Sequence, residues 1–147
     1  MALAALNTKT AADQGILVDI VHPSTQIPLG IRFRVLGTDS DVFRRISREQ
    51  QRRQTEKQRK SRGIYLAPPE EQESNGLELL TALTIGWEQD IVTDDKTITK
   101  PELELNEGEF IACTPENIRR IYSDPGFSWL KEQVDSAIGD RRSFLQI

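Results

Sequence analysis

Apolar and polar residues alternate most clearly over residues 27–36. Leu29, Ile31, Phe33 and Val35 fall on one side, and Gly30, Arg32, Arg34 and Leu36 on the other, as in a strand with one face on a core. A shorter apolar stretch, Ile16 to Val21, precedes it across the turn-rich segment His22-Pro23-Ser24-Thr25-Gln26, so the pattern predicts a hairpin over residues 15–36. Two strands are marginal alone in water and must pack on helices or join strands of another copy. Residues 1–14 show no sustained period and read as a flexible arm. Gly37-Thr38-Asp39 ends the second strand, with Thr38 or Asp39 placed to cap a helix over 39–62. That helix has Val42, Phe43 and Ile46 as its only apolar stripe, so beyond Ser47 it projects into solvent, frays or is held by a partner.

Residues 63–73, with Gly63 and Pro68-Pro69, read as a linker, and 74–147 as the helical part of a single domain spanning 15–147. Asn75 with Glu78 resembles a capping box, and Leu80, Leu83, Trp87 and Ile91 then recur with a helical period. The acidic stretch Thr93 to Leu105 reads as a loop, and Asn106 with Glu109 as the start of a short helix. Thr114-Pro115 and Asp124-Pro125 are two further helix starts. Phe127, Leu130, Val134 and Ile138 repeat helically in the last of these helices, with Gly139 as its cap and Phe144 in a closing turn. The fold class expected is α+β, mainly α: an N-terminal β-hairpin, a basic helix and a C-terminal helical bundle.

Composition sharpens this picture. Leu, Ile, Val and Phe make up 39 of 147 residues, enough for a lean core. The net charge of -4 conceals two opposed blocks. Nine cations against Glu49 and Glu56 give +7 between Arg44 and Arg62, and twelve acids against Lys96 and Lys100 give -10 between Glu70 and Glu109. Such blocks attract within a protomer or between copies. Met1 to Leu6 is too short and lacks the basic flank of a signal peptide, and no apolar run reaches the length of a membrane span.

Residues with chemical potential are few. His22 is the only histidine and sits in a turn, and Cys113 is the only cysteine, so neither a disulfide within the chain nor a zinc site is expected. The acids around Asp90, Asp94, Asp95 and Glu102 lack the ligand order of a calcium loop, and no glycine-rich phosphate cradle occurs. No catalytic, cofactor-binding or metal-binding residue is therefore assigned. The basic helix suits nucleic acid by charge, but it has no aromatic between Phe43 and Tyr65 and the chain is acidic overall, so a solvated or partner-bound helix is the preferred reading. Phe127, Trp129, Leu130, Val134 and Ile138 either pack in the core or line an exposed groove. Phe127 and Trp129, two residues apart, cannot face the same way.

Two stretches, "GIRFRVLGTDSDVFRR" from Gly30 and "FIACTPENIRRIYSDPGFSWLKEQVDSAIGDRRSFL" from Phe110, resemble the tail assembly chaperones of long-tailed bacteriophages. The likeness lies in a Gly-x-Asp-Ser turn before a basic helix, a Thr-Pro-Glu-Asn helix start and a Phe-x-Trp-Leu helix. It covers about half of the chain and carries no catalytic residues. The resemblance implies a non-enzymatic, self-associating protein of the host cell cytoplasm. Such a protein holds the long, apolar tape measure protein until tail-tube subunits replace it, and many family members also occur in a longer, frameshifted form. On this reading Phe127, Trp129, Leu130, Val134, Ile138 and Phe144 contact the client, and Arg44, Arg45, Arg48, Arg52 and Arg53 contact another copy or a charged partner. The alternative is a structural tail or head-tail component of the virion, and after that a nucleic acid binder acting through the basic helix.

Overall fold

The computed structural model describes residues 2–145. Met1, Gln146 and Ile147, which belong to the expected arm and to the end of the expected domain, lie outside the described residues. The chain opens with a 3-10 turn (Leu3–Leu6) and a short helix α1 (Lys9–Gln14), so the segment expected as a flexible arm is folded. Ala12 is its anchor: the side chain is fully buried, and its carbonyl accepts the Gly37 N–H at 3.1 Å.

Strands β1 (Ile16–Val21) and β2 (Pro28–Val35) pair antiparallel where the alternation places them. They are half of a larger sheet. β3 (Thr84–Thr93) adds to β2 and β4 (Lys96–Lys100) adds to β3, giving a four-stranded antiparallel sheet in the order β1-β2-β3-β4. A second hairpin, β5 (Glu102–Asn106) with β6 (Glu109–Ala112), follows directly. The expected architecture of hairpin, basic helix and C-terminal bundle is thus overturned, because strands occupy most of residues 84–112 where helix and loop were expected. The physical reason is that a strand and a helix both return to one face after four residues, so Trp87 and Ile91 satisfy either period. In β3 they stand with Gln89 on the inner face and oppose Phe33, Ile31 and Ile98 through the pairing register. The acidic stretch holds a tight turn instead of a loop: Asp94 and Asp95 both take positive φ, 49° and 64°, as a two-residue hairpin turn requires.

Helix α2 (Asp41–Ser61) is capped by Ser40, one residue beyond the expected cap, whose hydroxyl accepts the Phe43 N–H at 3.2 Å. Helix α3 (Pro69–Leu83) starts at a proline inside the expected linker, with Asn75 in its interior. α2 and α3 pack side by side. Helices α4 (Pro115–Tyr122) and α5 (Ser128–Gly139) begin at the two proline signals, with Thr114 accepting the Asn117 N–H at 3.2 Å and Asp124 the Gly126 N–H at 2.8 Å. Gly139 is the last residue of α5 and not a left-handed cap.

The core lies between the inner face of the sheet, α3, α4, α5 and the β5–β6 hairpin. Phe33 packs its ring 5.4 Å from Trp87 and 6.2 Å from Tyr122. Two hydrogen bonds fix the layers above the sheet. The Trp87 Nε1–H donates to the Ile111 carbonyl at 3.2 Å, and the Thr84 and Tyr122 hydroxyls meet at 2.7 Å. The opposite face of the sheet is polar: Arg32 bridges Glu88 at 3.1 Å and Asp90 at 2.7 Å.

Candidate functional site

The alternation of β2 that builds the core also leaves part of it open. Ile31 and Phe33 continue outward to Leu29, which is 37% exposed at the end of the strand. Opposite this row stand Leu103 and Leu105 of β5, two residues apart on one side of their strand. At the junction of α4 and α5 stand Ile121, Phe127, Trp129 and Leu130. The Asp124-Pro125 start sets Phe127 at the end of a 3-10 turn, which aims it and Trp129 across at the sheet. Together these residues enclose an apolar cleft of about 230 Å³, with Ile20 in its floor and Glu104 as the single residue of charged type in its lining.

Two polar contacts hold the walls. Gln133 of α5 uses both ends of its amide on β1: Oε1 accepts the Val21 N–H and Nε2 donates to the Val21 carbonyl, each at 2.9 Å. On the other side the Gln89 Oε1 accepts the Glu104 N–H at 2.9 Å, and the Lys100 Nζ lies 4.3 Å from the centre of the Phe110 ring, securing the β5–β6 hairpin.

The residues expected to contact a client divide between core and cleft. Val134, Ile138 and Phe144 are buried at 0%, 3% and 3% exposure, and they hold α5 and the last turn on the sheet. They present no surface to a client: Val134 and Ile138 lie on the inward face of α5, and Phe144, in the closing 3-10 turn, packs its ring at Gly37. Leu130 is buried as well and forms the back wall of the cleft. Phe127 and Trp129 are half-buried, and contrary to the spacing argument both reach the cleft, because Phe127 lies in the 3-10 turn and not within α5. Leu29, Leu103 and Leu105 complete the site. Leu29 could have been found from its place at the outer end of the alternating row, whereas Leu103 and Leu105 sat in a segment taken for a loop.

The basic helix has a partner within the same protomer. Arg53 bridges Glu78 of α3 at 2.6 Å and Lys57 bridges Glu71 at 2.5 Å, while Gln50 donates to both the Asn75 carbonyl and Glu78. Arg53 is therefore spent inside the molecule. Arg44, Arg45, Arg48 and Arg52 lie on the other side of α2, exposed along a shallow hollow with Asp41, Val42 and Glu49, and none forms an ion pair among the described residues.

The His22 Nδ1 accepts the Ser24 and Thr25 N–H groups at 3.1 and 3.2 Å, which makes it a turn-builder. Cys113 is half-buried, and burial pushes its thiol up to about 11, away from the thiolate that nucleophilic work needs. Among the described residues no group of three His, Cys, Asp or Glu side chains is placed to hold a metal ion, and no helix is long and apolar enough to cross a membrane.

Comparison with known proteins brings no match: no family model, no curated protein and no solved structure is similar to this chain.

Proposed function

We propose that this protein is a tail assembly chaperone of a long-tailed phage. On this reading it is a non-enzymatic factor that holds the tape measure protein through the apolar cleft in the host cytoplasm and helps to recruit tail-tube subunits. The observation that carries the reading is the cleft itself, a preformed apolar space whose open side is formed by Leu29, Phe127 and Trp129. A large aliphatic side chain moved from water into such a space gains roughly 1.5–3 kcal/mol. One cleft per copy covers a single apolar side chain, so an extended apolar client takes up many copies along its length. The resemblance of "GTDSDVFRR" and of the Phe127-Ser128-Trp129-Leu130 segment to that family supports the same assignment.

The test is co-expression with the tape measure protein of the same genome. The wild type is expected to keep the client soluble and to co-purify with it. Trp129→Asp places a carboxylate at the cleft and is expected to abolish co-purification while leaving the far-UV circular dichroism unchanged. Leu130→Asp would not serve, because it buries a charge in the core. Unchanged co-purification by Trp129→Asp would reject the cleft as the client site. Mass spectrometry of purified virions separates a chaperone, which should be missing, from a structural tail component.

A further inference from the structure

The α2–α3 hairpin ends in a segment that the protomer leaves uncovered. Ile64 and Leu66 are 84% and 83% exposed, close to the maximum for any large apolar residue in the described chain. Between them Tyr65 turns back, its hydroxyl on Glu71 and its ring 5.8 Å from the Lys57 Nζ. That contact fixes the segment with its two aliphatic side chains facing out. The tip stands at the far end of a helix of 21 residues, about 30 Å long, whose outer half is exposed throughout.

We propose that the cleft of one copy receives the Ile64–Leu66 tip of another. Two independent complementarities favour a second copy as the occupant. The first is apolar: a space of about 230 Å³ lined by Leu29, Leu103 and Trp129 has room for a branched aliphatic side chain, since about 150 Å³ suffices for benzene. The second is charge. Lys60 and Arg62 flank the tip, and among the described residues neither forms an ion pair. Asp19 and Glu132 line the neighbouring hollow that Trp129 also borders, and Glu104 stands in β5 between Leu103 and Leu105, likewise without ion pairs among the described residues. Nucleic acid matches the cations but neither the exposed aliphatic pair nor the acidic margin of the cleft.

Tip and cleft are different patches, so the contact propagates from copy to copy into rings or open chains. The inference rests on the cleft being the client site in one respect only: tip and client then compete for the same space, and loading of the client releases the copy-copy contact.

Sedimentation velocity of the full chain over a range of concentrations tests this. The wild type is expected to associate, and the double variant Ile64→Asp/Leu66→Asp to weaken association by at least about 100-fold, the lower bound for two lost apolar side chains. Both positions are exposed, so an unchanged circular dichroism spectrum is expected. The tip variant is also expected to keep the client soluble, whereas Trp129→Asp loses self-association and client together. A wild type that is monomeric throughout, or association untouched by the tip variant, overturns the inference. So does association lost on Arg44→Glu/Arg48→Glu/Arg52→Glu but kept by the tip variant, which assigns the contact to the arginine side of α2. Failure of the client reading looks different: Trp129→Asp then still solubilises the client, whatever the tip variant does.

Discussion

A methyl group on Gly37 would lie 2.8 Å from the Phe144 ring and 3.0 Å from the Ala12 Cβ, closer than carbon atoms pack. This glycine read as plain punctuation after a strand, yet it is where the first helix, the sheet and the last turn touch. Gly37→Ala is expected to destabilise the fold by about 1–3 kcal/mol, the usual cost of overpacking, measured as a lower urea midpoint at unchanged slope. Asp90 carries a second consequence at this scale. Arg32, and after it Thr99, hold its carboxyl down to about 2 from an ordinary 3.8. A depressed carboxylate stabilises the folded state above its unfolded pKa, and that contribution fades as pH falls from about 3.8 to about 2. Asp90→Asn should therefore lower the urea midpoint at pH 6, and its deficit against wild type should shrink as the acid range is entered. A deficit independent of pH would remove the Arg32 pair as the cause.

Elements whose signal is local were legible, and elements whose signal is shared were not. Pro28 to Val35 alternates over a full strand with charges on one side, and no helix explains that pattern. The capped starts at Thr114 and Asp124 were equally plain, because proline and a cap residue act within one turn. Leu80, Leu83, Trp87 and Ile91 misled because the spacing runs unbroken from the end of α3 into β3. The β-branched Thr84-Ile85 pair and Gly86 were the available hint of the change. At the candidate site, Phe127, Trp129 and Leu130 were legible as an aromatic-bearing stripe. Their partners Leu103 and Leu105 needed the docking of the β5–β6 hairpin against β3, a long-range fact. Gln133 is illegible in the same way, since its partner Val21 lies 112 residues distant. Gln133→Ala leaves both backbone groups of Val21 without that partner. It is expected to cost roughly 1–3 kcal/mol and to speed hydrogen exchange at the Val21 amide more than at the rest of β1.

At the scale of the molecule, the two charge blocks meet inside one protomer through Arg53–Glu78 and Lys57–Glu71, yet several cations of α2 and several acids of the hairpins are left over. The apolar surface includes a recess beside the sheet and a projection at the end of α2. A chain that pairs an apolar recess with an open sheet runs a hazard from its strands. The sheet has two borders. On one, Gln133 already occupies the outward groups at the end of β1; on the other, β4 carries Lys96 and Lys100. An invading strand would have to evict an amide on one side or crowd ammonium groups on the other. Edge-to-edge zipping of sheets into fibres is thus opposed at the Val21 end of β1 and along β4.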